Sequence, residues 1–397
     1  MNSSHSPLIV HFVTWYPSAA NHAEGIFIQR QIELLAANDQ FRHIVVRKSK
    51  TVIRVWEHLK ALLGFFKTER IGSVTAVSLP NESRLYRFFF WRFRQQLEQR
   101  ILHRLYQKFQ PSLAHLHVVY GFAEEAIYLK KKKKLPFLVS EHMGPFPFNW
   151  ITAKKELIIE PMQQSSKVVA VSSAQAKQIE SFTGVVPVII PNVIHEKDFF
   201  YTTTPGQPEK QQPLHIVFTG VYTKAKGGDY LLSVFPEFLK TYPGTVLHMV
   251  GYATEERMKE LQTLLEQTGI QQQVIFHGNL SAAQLNALYQ QCDFYVCSSE
   301  WESFGLSVLE GLFTGLPALC TNCGGVSDFI NAENGMLIPN DQQQATLLHG
   351  MLTMAANVHQ YNRQQIAEQA RSQFSSARIQ HQYFDIYKEI LSNSSAA

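Results

Sequence analysis

The sequence predicts an α/β protein made of two doubly wound halves, each a largely parallel sheet flanked by helices. Three observations lead there. The chain has 397 residues, too many for one ordinary core. Short apolar runs recur along it, separated by segments long enough for a helix. A stretch of proline, glycine and polar residues, Tyr201–Pro213, breaks that rhythm and reads as a linker.

In the first half the strand-like runs are Leu8–Thr14, His43–Arg47, Ser73–Ser78, Leu113–His117, Phe137–His142, Lys167–Ser172 and Val186–Pro191. Several are apolar without alternation, as suits strands buried on both faces of a parallel sheet. Gly25–Ala37 and Ala174–Phe182 between them read as helices. In the second half the runs are Leu214–Gly220, Thr245–Gly251, Val274–Gly278, Asp293–Ser298, Pro317–Thr321 and Met336–Pro339. Glu255–Thr268 and Ala282–Gln291 are its clearest helical stretches. The expected domains are 1–200 and 214–378, joined by 201–213. Ligands are expected where the carboxyl ends of the strands face the gap. Ile379–Leu391 has helical spacing at Ile379, Tyr383, Ile386, Tyr387 and Ile390, but spacing does not say where that helix packs.

Composition excludes several classes. With 45% hydrophobic and 17% charged residues the chain folds and is not disordered. A net charge of 36 − 32 = +4 gives no argument for nucleic acid. Met1–Ser6 is polar and lacks the pattern of a secretory signal. No run of about 18 apolar residues predicts a membrane span, so the expected address is the cytoplasm. The four cysteines, Cys292, Cys297, Cys320 and Cys323, admit two readings: a zinc site, or small buried residues in strand-like runs. A nicotinamide-dependent dehydrogenase is disfavoured, because neither half opens with G-x-G-x-x-G after its first strand.

The chemistry concentrates in Ser298–Gly315, where a strand leads into a helix. If the helix starts near Gly305, its first N–H groups and positive dipole end suit a phosphate. Glu302 and Glu310 flank that start, placed to hold hydroxyls; the alternative is a solvated helix start that favours acids. The turn Asn322–Ser327, with Gly324 and Gly325, can offer N–H groups to an anion or serve as an ordinary connection. The loop after Thr219-Gly220 carries Lys224 and Lys226, cations for a departing diphosphate or solvated loop lysines.

These segments together resemble retaining glycosyltransferases of family four. The family pattern is two glutamates separated by seven residues, with Phe-Gly after the first; here it reads E-S-F-G-L-S-V-L-E, Glu302 to Glu310. VIIPN at Val188–Asn192, FTG…KGGDYLL at Phe218–Leu232, FHGNL at Phe276–Leu280 and GGVSDFI…NGMLIP at Gly324–Pro339 are similar to other family segments. YP…EGIFIQRQ at Tyr16–Gln31, HLH at His115–His117, SEHMG at Ser140–Gly144 and VAVSS at Val169–Ser173 match more loosely.

The resemblance implies the GT-B fold, two Rossmann-like domains facing across a cleft, with a C-terminal helix (379–397) crossing back to the first domain. It implies that Glu310 holds the donor ribose and that Glu302 sits beside the transferred sugar. Phe304, Gly305 and Leu306 would offer backbone donors, with Gly220, Lys224, Gly324 and Gly325 near the diphosphate. Lys226 would neutralise that leaving group, and Gly278 and Asn279 would lie near the base. His142 would approach the sugar from the first domain, with Gly25 and His117 on the acceptor side.

Two departures stand out. Val221 and Tyr222 occupy the region where the family often has an arginine, so either Lys224 substitutes for it or the two-cation clamp is weaker. Asp328 replaces the usual glutamate of the glycine turn. No metal or other cofactor is expected, because Asp39, Asp198, Asp229, Asp293, Asp328, Asp341 and Asp385 never fall as D-x-D.

The acceptor half is basic. Arg84–Lys108 carries 7 − 1 = +6 charges among aromatic residues, and Lys130–Lys134 is five consecutive lysines. Such segments suit an anionic membrane surface and a lipid-linked acceptor; the competing reading is a core-docked helix with a basic outer side. The expected partners are thus a nucleotide sugar, a glycan or lipid-linked acceptor, and peripherally an anionic membrane, but not nucleic acid. Polysaccharide or lipopolysaccharide assembly is the expected setting. The alternatives are a nucleotide-sugar epimerase of similar fold and a non-catalytic sugar-nucleotide or membrane-binding module.

Overall fold

The structure is a computed structural model that describes residues 6–17, 24–48, 55–80, 93–147, 155–202 and 213–395. The expected linker falls largely at 203–212, outside the described residues, as do 84–92 of the basic segment. Two compact units form: Met1–Val193 with Ala377–Ala397, and Ile194–Ser376. The division precedes the expected boundary at 200. The reason is local: Phe199 packs against Tyr289, and the Phe200 amide donates to Asn286 Oδ1 at 3.0 Å.

The sheet of the first unit contains β1 (Leu8–Val13), β2 (Arg42–Lys48), β3 (Lys67–Ile71), β4 (Val74–Leu79), β5 (Leu113–His117), β6 (Phe137–Ser140), β7 (Lys167–Ala170) and β8 (Val188–Ile189). Their order is β3-β4-β2-β1-β5-β6-β7-β8, with β3 antiparallel to β4 and the rest parallel. The β3 strand gives no apolar run because K-T-E-R-I lies at an edge, largely exposed. The strand expected over Phe137–His142 stops at Ser140, so Glu141 and His142 belong to the following loop. Val10, Phe12, Leu116, Phe137 and Val139 are fully buried in one core layer.

The other face of that sheet is covered by helix Ser376–Ser395, through Ile379, Tyr383, Phe384, Tyr387 and Ile390 against Ile9, Leu113, Leu138 and Val169. Tyr387 Oη lies 2.7 Å from His115 Nδ1, and Tyr383 Oη 3.2 Å from Ser140 Oγ. These two pairs satisfy buried polar atoms, as burial requires.

The second unit has six parallel strands: β9 (His215–Thr219), β10 (Val246–Val250), β11 (Val274–Gly278), β12 (Phe294–Cys297), β13 (Ala318–Thr321) and β14 (Gly335–Ile338). Their order is β11-β10-β9-β12-β13-β14. Strand order therefore reverses between β9 and β12, and in the first unit between β1 and β5. In open α/β sheets the carboxyl ends of such strand pairs bound a natural crevice. Among the described residues no helix is long and apolar enough to cross a membrane.

Candidate functional site

Lys226 and Glu302 meet at the reversal point of the second sheet. After β9 the chain makes a short 3-10 turn, Lys224–Lys226, and enters helix Gly228–Thr241 through Gly227 in the left-handed region, φ 78°. A Cβ on Gly227 would stand 1.9 Å from the Ser298 carbonyl oxygen. Only glycine lets the lysine turn lie this close to the end of β12. Ser298 Oγ donates to the Gly227 carbonyl at 2.8 Å, and the Glu300 amide to that of Ala225 at 2.8 Å.

Across this seam Lys226 Nζ donates to Glu302 Oε1 at 2.7 Å, and Ser299 Oγ donates to the same oxygen at 2.8 Å. Burial pushes the Glu302 carboxyl above its ordinary pKa, while Lys226 and Ser299 pull it back. Burial also opposes the Lys226 charge, but attraction and hydrogen bonding to Glu302 outweigh it and hold the ammonium above the usual lysine value. The pair is thus a retained cation beside a carboxylate whose charge depends on its partners.

Helix Leu306–Phe313 starts where the Glu302–Glu310 spacing places it, with Gly305 at φ 94° as its N-cap. The Leu309 amide makes the first intrahelical bond, to Gly305, so the amides of Leu306 and Ser307 precede any intrahelical acceptor. Glu310 lies on this helix and is 9% exposed. Tyr295 Oη contacts Ser307 Oγ at 2.9 Å and Thr219 O at 3.1 Å, and Tyr289 Oη donates to Thr219 Oγ1 at 3.0 Å. These tyrosines tie the helix start to the end of β9. The sequence reading missed them, and Ser299 too. Ser299 had a signal, a hydroxyl at a strand end three residues before the acid; the tyrosines read only as strand and helix core.

The glycine turn packs against the loop that carries Glu302. The Gly325 amide donates to the Glu302 carbonyl at 2.8 Å, and a Cβ there would lie 2.4 Å from Ser303 O. Gly324, at φ 114°, forms a parallel bridge with Glu302. The Gly325 amide is therefore engaged by Glu302, and both glycines admit close packing of two loops. The exposed side chain of Lys224 lines a cavity of about 320 Å³ with Tyr222, Tyr252 and Arg257. Tyr222 is turned inward against Phe218 and Phe276, and Arg257 Nε donates to the Tyr222 carbonyl at 3.0 Å. Gly220 closes β9 by donating to Val250 O at 2.9 Å. Gly278 and Asn279 are exposed at the end of β11, and Phe304 is buried against Phe329 and Phe374.

In the first unit Gly25 follows β1, His117 ends β5 and His142 follows β6. Gly25, at φ 67°, caps helix Ile26–Ala36, and a Cβ there would meet Trp15 O at 2.4 Å. His142 Nδ1 sits 3.0 Å from Asn192 Oδ1, which places the end of the VIIPN segment beside SEHMG. The His142 ring stacks on His117, centroids 5.8 Å apart, and burial brings its pKa down to about 4. Glu141 is buried beside it, accepting from the amides of Val119, His142 and Met143 at 2.9–3.1 Å.

Nitrogens of His11, His115 and His117 lie within 4.8 Å of one another, the metal-ligand spacing among the described residues. Those of His11 and His115 already face His117, His43, Tyr387 and Ser140 at 2.7–3.0 Å, whereas His117 Nδ1 is buried without a hydrogen-bond partner. All four cysteines are buried and form no disulfide, Cys297 hydrogen-bonds with Cys320 and Cys323, and no cluster of metal-ligand spacing among the described residues contains one.

A parallel sheet with cation, acid and helix start at its reversal point is a doubly wound α/β arrangement with a crevice at its strand ends, and comparison with known proteins gives its family. The model "Glycosyltransferase Family 4" matches residues 57–198, and "Glycosyl transferases group 1" matches 202–373. The chain belongs to group one of glycosyltransferase family four, with the GT-B fold.

It is 26% identical over 259 residues to the GDP-mannose:cellobiosyl-diphosphopolyprenol alpha-mannosyltransferase of Xanthomonas oryzae, covering 60% of this chain and 65% of that one. It is 25% identical over 215 residues to the phosphatidyl-myo-inositol mannosyltransferase of Propionibacterium freudenreichii, covering 53% and 52%. The chain therefore spans less than two thirds of either relative. Anabaena HepE in complex with UDP shares the fold at TM-score 0.75, with 15% identity over 96% of this chain and 100% of that one.

Proposed function

We propose that this protein transfers a sugar, with retained anomeric configuration, from a nucleoside diphosphate sugar to a glycan or lipid-linked acceptor. The observation that carries the reading is the Lys226–Glu302 pair, 2.7 Å apart beside the helix start at Gly305. A diphosphate against the first amides of Leu306–Phe313 would draw on backbone N–H groups and the dipole. Lys226 would supply the point charge as the bond from anomeric carbon to phosphate oxygen breaks. The acceptor hydroxyl forms the new bond on the same face, and its proton passes to the departing phosphate oxygen. Glu302, released from Lys226, would hold sugar hydroxyls, and Glu310 the ribose. His142, as a neutral imidazole, would approach the sugar, and Gly25 and His117 would serve the acceptor.

No divalent metal is required in this scheme, because ammonium and helix dipole carry the leaving-group charge. The names of the relatives support the assignment: one acts from GDP-mannose on a diphosphopolyprenol-linked sugar, and HepE binds UDP. A lipid-linked acceptor handled at the cytoplasmic face, in polysaccharide or lipopolysaccharide assembly, fits the basic first unit.

A panel of nucleotide sugars with chelator present, read by mass spectrometry for nucleoside diphosphate release, tests the reading. At least one donor should turn over with an acceptor mixture, and Lys226→Ala should lose about 10²–10³-fold in kcat. Release that needs a divalent ion, or a donor that changes configuration without an acceptor, would replace it with a metal-dependent transferase or an epimerase.

A further inference from the structure

Helix Val55–Leu62 turns the wrong kind of face to solvent. Its inner side, His58 and Ala61, is buried in the first unit. On the outer side Trp56, Leu59 and Leu63 follow at helical spacing, 62%, 46% and 70% exposed, and Phe65 just beyond is 67% exposed. The last turn keeps them in line: the Leu63 amide donates to Leu59 O and Lys60 O, and that of Phe65 to Lys60 O. A solvated helix face is ordinarily polar, and a contiguous apolar patch marks an interaction surface.

The rim is positive. Arg104 Nε donates to Leu62 O at 3.3 Å and Lys108 Nζ to Gly64 O at 3.4 Å, both from the exposed side of helix Arg94–Phe109. Lys60 and Lys67 complete it on the same segment. Two acids lie nearby: Glu57 pairs with Lys60, and Glu69 is engaged by Arg47.

We propose that this face, Trp56, Leu59, Leu63 and Phe65 within a ring of Lys60, Lys67, Arg104 and Lys108, docks the protein on an anionic lipid bilayer. The apolar side chains enter the headgroup boundary while the cations meet lipid phosphates. A second copy of the chain is the poorer occupant, because self-complementary packing would oppose the same four cations to themselves. The proposal deepens the acceptor side of the function above but rests on no donor chemistry.

The test uses the full chain without nucleotide, pelleted with vesicles of phosphatidylcholine alone or mixed equally with phosphatidylglycerol, at low and high salt. An environment-sensitive fluorophore on Leu63→Cys reports insertion; the native cysteines are buried. Binding should require the anionic lipid, fall with salt, and shift the fluorophore to shorter wavelength. Trp56→Ser/Leu63→Ser and Arg104→Gln/Lys108→Gln should each weaken it at least about tenfold, with unfolding midpoint and transfer to a soluble acceptor unchanged.

Equal pelleting of wild type and both variants would overturn the proposal. So would no pelleting, a fluorophore already blue-shifted before vesicles are added, or a dimer that the serine variant dissociates. Docking without transfer, or transfer without docking, separates this face from the donor reaction.

Discussion

Gly227 shows how the site depends on single atoms. Its Cβ-free backbone, at φ 78°, is what brings the Lys226 turn against Ser298. Gly227→Ala should cost more than the ~1 kcal/mol of a left-handed alanine, because the methyl meets a carbonyl at 1.9 Å, and should move Lys226 from Glu302. Gly269 is the control: it has nearly the same φ, 72°, but no atom within 4 Å. Gly269→Ala should lower the urea midpoint by only about 1 kcal/mol equivalent and leave turnover unchanged, whereas Gly227→Ala should lose both. Equal losses in the two variants would deny the seam its role. The acids and Lys226 were legible in the sequence through the Glu302–Glu310 pattern and the family resemblance that it carries. That Gly325 already donates to Glu302 was not, since a backbone contact between loops 23 residues apart (325 − 302) leaves no pattern in side chains.

At the scale of elements, legibility followed caps and burial. Glu255–Thr268 and Ala282–Gln291 match their expected bounds because Thr254 and Ser281 cap them, the latter in a reciprocal box with Gln284. Polar, edge-placed β3 gave no apolar signal, and the run expected over Val186–Pro191 shrinks to the exposed pair Val188–Ile189. Helix Ser376–Ser395 showed its period but not its destination, which depends on a contact 272 residues apart, Tyr387 to His115. That contact is testable. Tyr387→Phe keeps the packing but strips His115 Nδ1 of its partner in a fully buried position. It should destabilise the protein by about 1–3 kcal/mol in denaturant unfolding; a change near zero would mean the hydroxyl contributes nothing.

For the molecule as a whole, the buried histidines make stability depend on pH. His43 and His142 are brought down to about 4 by burial, and His11, His115 and His117 well below the ordinary 6.5. Each binds its proton less readily folded than unfolded. Their contribution is therefore intact above about 6.5 and is lost as pH falls toward 4, at up to about 3 kcal/mol each for His43 and His142. Glu141 acts oppositely: burial raises its pKa to about 7 against three amide donors, so its contribution declines as pH rises from about 4.5 to 7. The histidines outnumber it, so the unfolding midpoint should fall on acidification from 6.5 to 4; a flat profile would contradict their neutrality.

The whole account depends most on capture of a diphosphate by Lys226 beside the Gly305 helix start. Calorimetric titration of UDP, GDP and their monophosphates into wild type and Lys226→Ala, with chelator present, measures this directly. The account predicts that at least one nucleoside diphosphate binds without metal. It also predicts that Lys226→Ala weakens that diphosphate about tenfold or more and leaves the matching monophosphate nearly unchanged. Equal diphosphate affinity in the two proteins, or no nucleotide binding by wild type, would contradict it.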